Sequence, residues 1–123
     1  MIFPRKGDII IVDAEPHAGH EMGGHDPSSN NIRRHYVVMS TTSYNEATKL
    51  FLGLPITTAN HSNNPKYMPL LLNGMNGTGV KGYIVLWQLQ NFDYVARHGK
   101  IVNHLDQKTI DLLQRYVDDM VGR

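Results

Sequence analysis

The sequence predicts a mainly β (α+β) fold, a set of short antiparallel strands closed by one C-terminal helix. Three observations predict it. Short apolar runs rich in β-branched residues recur along most of the chain and are separated by Gly-, Pro- and Asn-containing stretches. Glycine- and asparagine-rich connections such as "NGMNGTG" suit hairpins. Only at the C-terminus does the apolar pattern change to three- and four-residue steps.

Each element follows in order. "KGDIIIVDAE", bounded by Gly7 and Pro16, reads as a first strand. A long stretch from His17 to Ile32 has no period, and loops of this length are usually functional or mobile. "RRHYVVMST" is a second strand, and "SYNEATK" is expected to make one helical turn. "LFLGLPIT" is a third, with Pro55 suggesting that it ends or lies at an edge there. "YMPLLLN", "KGYIVLWQL" and "HGKIVNHL" are the fourth, fifth and sixth. In the fifth, regular alternation sets Tyr83, Val85 and Trp87 on one face and Gln88 on the other. Trp87 and Gln88 share a surface only if the strand ends at Leu86 and the chain turns. The closing helix carries Ile110, Leu113, Val117 and Met120 on one stripe, widened by Leu112, Tyr116 and Val121. Asp106 is its expected N-cap and Gly122 its end.

A length of 123 residues predicts one domain over 1–123, large enough to bury a single core. No apolar run approaches the roughly 20 residues of a membrane span, and "MIFPRKGD" has no apolar signal core behind its charges. These predict a cytoplasmic chain without membrane contact. The absence of cysteine removes disulfide and thiolate chemistry. A net charge of +1 requires any phosphate-binding surface to be local.

Candidate chemistry is sparse. His17, His20 and His25 are irregularly spaced, with only Glu21 and Asp26 as nearby carboxylates, so neither a metal nor another cofactor is expected. No G-x-S-x-G elbow or phosphate-binding P-loop is present. What remains is polar groups at the ends of two apolar strands. Arg34 offers a donor fork that fits a phosphate, and Thr57 and Thr58 offer hydroxyls. If the second and third strands are neighbours, Arg34 and Thr57 converge at one end of a barrel. Such a pair suits charge stabilisation on a phosphodiester better than acyl transfer, because no base stands ready to activate the threonine.

The motifs "GDIIIVDAEPHAGHEMGG", "RRHYVVMSTTSYN", "LPITT" and "GYIVLWQLQNFDYVARHGK", followed by a helix, together resemble the MazF/PemK family of toxin endoribonucleases over nearly the whole chain. The resemblance implies a small SH3-like antiparallel β-barrel of the CcdB/MazF type. It implies a homodimeric toxin of a type II toxin–antitoxin system with a cognate antitoxin protein as partner. The implied activity is sequence-specific, metal-independent cleavage of single-stranded RNA (mRNA) to 2′,3′-cyclic phosphate and 5′-OH ends. Arg34, six residues before Ser40, matches the catalytic arginine, and Thr57 the catalytic threonine. His20, Glu21 and Gly24 match a substrate loop in which Glu21, His20 or His25 would be the general acid or base. Gln88 matches an RNA-contacting glutamine, and Arg33, Thr58, His61 and Trp87 join it as expected RNA-binding residues. Asp93, Ala96 and Arg97 match a mainly structural motif.

Three departures stand out. "HDPSSNNIR" separates the loop glycine from the arginine, His35 replaces a proline, and Trp87 replaces the aspartate before the glutamine. A mechanism that uses that aspartate as base has no residue for it here. Trp87 is either a stacking platform for an unpaired base or a core residue. Two other functions fit the same chain: a CcdB-like gyrase-inhibiting toxin acting through its C-terminal helix, and a catalytically inactive relative that binds RNA or protein.

Overall fold

The computed structural model describes residues 1–14 and 33–122. Among the described residues seven strands and two helices follow one another: β1 (Asp8–Asp13), β2 (Arg33–Val38), α1 (Thr42–Thr48), β3 (Leu50–Thr57), β4 (Tyr67–Leu72), β5 (Val80–Val85), β6 (Gln90–Asp93), β7 (Lys100–His104) and α2 (Gln107–Val121). All strand pairs are antiparallel. The order across the sheet is β4-β5-β3-β2-β1-β7, with β6 also on β3, which curls the sheet into a half-barrel. No helix among the described residues is long and apolar enough to cross a membrane.

β3 is the hub. One side pairs with β2 at Gly53–Pro55. The other pairs first with β6 at Leu50–Gly53 and then with β5 at Ile56–Thr57. Pro55 therefore lies inside a central strand, buried, and not at a strand end or edge as the sequence suggests. The reason is local. On the β5/β6 side, Leu54 and Pro55 fall in the gap between the two partners, so a residue without an N–H costs no ladder bond there.

Alternation gives the sheet two cores. Ile9, Val37, Leu54, Ile56 and Ile84 face the stripe of α2, where Ile110, Leu113 and Val117 are buried. Met120, expected on that stripe, and Leu112 and Val121, expected to widen it, are exposed. The second core is aromatic: Tyr36, Phe51 and Tyr94 pack with Phe3 and Phe92. Their rings meet mostly edge to face, as with Tyr36 and Phe92 at 5.4 Å and 79°. Gly7, just before β1, lies under α2. Its φ is +93°, and a Cβ there would lie 2.2 Å from Ile110 Cδ1, so the close approach of the helix needs glycine.

Asp106 caps α2 by accepting from the Thr109 N–H at 2.9 Å, and Gly122 ends it with φ 86°. α1 is longer than one turn. Thr41 caps it, and its buried Asn45 ties three segments together. Asn45 Nδ2 donates to the Pro4 carbonyl at 2.8 Å, Ser40 Oγ donates to Asn45 Oδ1 at 2.6 Å, and the Leu52 N–H donates to Ser40 Oγ at 2.9 Å.

Candidate functional site

The outward end of β2 carries Arg33, Arg34 and His35. Arg34 stands opposite Val12 of β1, and alternation sets it on the Tyr36–Val38 face. On the other flank β2 and β3 pair Tyr36 with Pro55. The same offset carried two residues outward brings Arg34 level with Thr57, on the same face. Thr57 is buried, and its Oγ accepts from the Ala59 N–H at 3.2 Å, so the hydroxyl proton is available to donate elsewhere. Across β3, Thr57 pairs with Tyr83. A Cβ on Gly82 would lie 2.4 Å from the Thr57 carbonyl oxygen, so glycine lets β5 close against β3 at this level.

Arg33 has a different setting. Its Nη1 meets Asp13 Oδ1 at 2.6 Å, and its Nη2 donates to the carbonyls of His98 at 2.9 Å and Ile11 at 3.3 Å. His98 Nδ1 lies 2.7 Å from the other Asp13 oxygen. The His98 hydrogen bond first, then the Arg33 hydrogen bond, hold the Asp13 carboxyl below its ordinary 3.8. This cluster braces the end of the β1–β2 ladder. For His35, burial and then the neighbouring Arg33 charge hold the imidazole below its ordinary 6.5.

β5 is shorter than the sequence suggests. It ends at Val85, and the chain turns at Leu86 and Trp87, with the Leu86 N–H donating to the Lys66 carbonyl at 3.0 Å. Val85 is fully buried while Trp87 is 42% exposed, so strand alternation does not govern them. Gln88 follows in the turn and accepts from Gln90 Nε2 at 3.3 Å. The next residues form β6, a strand left unassigned from the sequence between its fifth and sixth runs, so the expected sixth strand is β7.

Thr58 is exposed and lines a cavity of about 610 Å³ with Lys81 and Tyr83. His61 lies flat on Tyr67, with centroids 3.7 Å apart and planes within 2°. Trp87 meets Tyr67 edge-on at 6.5 Å, and Tyr83 meets His61 edge-on at 6.0 Å. Sequence reasoning misses Tyr67 and Tyr83. Their outward alternation with Pro69 and Lys81 is the signal that would find them. Asp93 accepts from the Ala96 N–H at 2.8 Å, while Arg97 donates to the Asp13 carbonyl at 3.0 Å and lies over Phe92. The expected acid–base candidates Glu21, His20 and His25, with Gly24 and the rest of the loop, lie outside the described residues. Among the described residues no three His, Asp or Glu side chains converge as a metal centre.

The fold is that of several solved toxins. MazF from Deinococcus radiodurans superposes with a TM-score of 0.77 at 22% identity, over 98% of each chain. A MazE–MazF complex from the same organism gives 0.72 at 18% identity, over 98% of this chain and 97% of that one. A mycobacterial endoribonuclease in complex with its cognate antitoxin gives 0.64 at 13% identity, over 99% and 96%. No curated protein sequence matches the chain. The sequence profile of the PemK-like, MazF-like toxins of type II toxin–antitoxin systems matches residues 5–121, so the chain belongs to that family.

Proposed function

We propose that the whole chain, 1–123, acts as a metal-independent endoribonuclease on single-stranded RNA such as mRNA. The observation that carries this reading is the β2–β3 register, which, extended two residues outward, levels Arg34 with Thr57 on adjacent strands; Thr58, the next residue, lines a groove with Lys81. The substrate's own 2′-oxygen attacks the adjacent phosphorus and the 5′-oxygen departs, leaving a 2′,3′-cyclic phosphate and a 5′-OH. This reaction needs no protein nucleophile. The enzyme's part is to align the 2′-oxygen with the leaving group and to stabilise charge on the phosphoryl oxygens. Arg34 offers those oxygens a fixed fork of donors, and Thr57 Oγ, which accepts from the Ala59 N–H, keeps its hydroxyl proton to donate. Gln88, Thr58, His61 and Trp87 contact RNA outside the scissile group, and Arg33 holds the strand end that carries Arg34.

A cognate antitoxin is the natural protein partner, supported by the fold shared with toxins solved as antitoxin complexes, and the working unit is a homodimer. Incubating the pure protein with mixed-sequence RNA in EDTA tests the activity. Discrete fragments ending in cyclic phosphates are expected. RNA left intact refutes the reading in favour of a gyrase-directed or purely binding relative.

A further inference from the structure

We propose that the outer face of the β4–β5 hairpin, where Trp87, Tyr67, His61 and Tyr83 form an unbroken row of rings, is a nucleobase subsite for a base flanking the scissile phosphate. The inference rests on the ribonuclease reading above.

The rings are placed for contact rather than for packing. Both cores lie elsewhere, and none of the four belongs to either. The row contains two right-angled corners, Trp87 on Tyr67 and Tyr83 on His61, each at 87°. A flat base laid in such a corner meets one ring face-on and the other edge-on, both favoured geometries for aromatic pairs.

The loop bearing His61 is organised in advance. Asn60 Oδ1 accepts from the Ser62 N–H and from the Tyr83 hydroxyl, each at 3.0 Å. The Asn64 N–H donates to the His61 carbonyl at 3.2 Å, and the Tyr67 N–H donates to the Asn64 carbonyl at 3.1 Å. Ordering costs that a flexible loop would meet on binding are therefore small.

Charge selects the occupant. A cavity of about 580 Å³ at His61, Tyr67 and Tyr83 adjoins the cavity at Thr58, sharing Pro69 and Tyr83. Among the described residues their linings include Lys81 and no carboxylate, and exposed Lys66 borders Tyr67. A row of rings, an asparagine-rich rim and, among the described lining residues, only cationic charge fit an unpaired base on a phosphate backbone. A helix partner would instead require a continuous aliphatic strip, and among the described lining residues the exposed aliphatic side chains are Leu71 and two prolines, Pro65 and Pro69.

Position then fixes which base. Tyr83 is the Cα partner of Thr57, one strand spacing of about 4.8 Å away. A base seated against Tyr83 and His61 therefore belongs to a nucleotide next to the phosphate held at Thr57.

The test uses 2′-O-methyl RNA, which cannot be cleaved, and a ribose-phosphate oligomer of equal length without bases. Trp87 is the only indole, so its fluorescence reports the row directly. The RNA should quench it and the base-free oligomer should not. Tyr67→Leu and His61→Leu should each weaken RNA binding about 5- to 150-fold, the scale of one lost stack, with little change in binding of the base-free oligomer. Equal binding of the two oligomers by the native protein overturns the proposal, and this comparison stands even if the variants misfold. Unchanged RNA affinity in folded variants overturns it too. So does a change in sedimentation from dimer to monomer, which would make the face a seam between copies. In each of these cases Arg34-dependent cleavage of ordinary RNA would leave the ribonuclease reading standing. If ordinary RNA is neither bound nor cut by the native protein, that reading falls and the subsite with it.

Discussion

Gly82→Ala tests whether the position of Thr57 matters to the chemistry. The added Cβ would lie 2.4 Å from the Thr57 carbonyl oxygen and 3.2 Å from Ile56 Cγ2. A carbon settles against a carbonyl oxygen at about 3.3 Å, so β5 and β3 must part by roughly 0.9 Å at this level. The obstacle is backbone, so no rotamer change relieves it. Overpacking of this kind costs about 1–3 kcal/mol, or about 4–12 °C in melting temperature for a chain of this size. A displacement near 1 Å at a reacting group costs on the order of 10²-fold in rate. Single-turnover cleavage of a labelled RNA, well below the melting temperature, reads the second effect apart from the first. Gly79→Ala is the control, because its Cβ approaches nothing closer than the Leu72 carbonyl oxygen at 3.2 Å. If the two act through one group, Gly82→Ala combined with Thr57→Val should be no slower than Thr57→Val alone. A folded Gly82→Ala protein that cleaves within about threefold of the native rate refutes the reasoning.

Arg34→Ala should lower cleavage about 10²–10³-fold with the fold intact, whereas Arg33→Ala should cut activity far less, because Arg33 is engaged with Asp13; equal losses in rate assays would contradict the division. Asn45→Ala strands the Pro4 carbonyl and the Ser40 hydroxyl in a buried site and should cost about 2–4 kcal/mol in urea titration; a loss under about 1 kcal/mol would show that water replaces the amide. His35, held below 6.5, should make stability fall as the pH drops below 6.5, since the unfolded chain takes up the proton first. His35→Gln should flatten that limb of a melting-versus-pH profile. Asp13, held below 3.8, contributes stability above that pH that is lost as pH falls through its lowered value, and Asp13→Asn should remove this acid dependence.

The strand content was legible because each apolar run is short and punctuated. β3 shows this best: its observed span, Leu50–Thr57, is the whole of the predicted run. The caps of α2 were legible for a similar reason, since Asp106 and Gly122 act on their own neighbours. Pro55 misled because its tolerance depends on a gap between two partners, which no local pattern records. The turn at Leu86–Trp87 was legible only as a condition, because hydrophobicity runs on through Val85 and Leu86 and favours a continuing strand. At the site, Arg34 and Thr57 were readable as polar residues ending apolar strands. The commitment of Arg33 to Asp13 and the row of rings around His61 were not, because both arise from chain segments far apart in sequence.

The hub position of β3 also bears on how the chain folds. Its ladders reach back to β2 and forward to β5 and β6, while β1 waits for β7, as in the pairing of Ile10 with Ile101. Contacts of such long sequence separation cost loop entropy before they return any stability, and topologies dominated by them fold in milliseconds to seconds rather than microseconds. Arg34, Thr57 and Gly82 each sit on a different strand of this set. A nascent or partly unfolded chain therefore has its residues in hand but no phosphate-binding geometry. The destructive activity proposed here would be withheld until the hub closes.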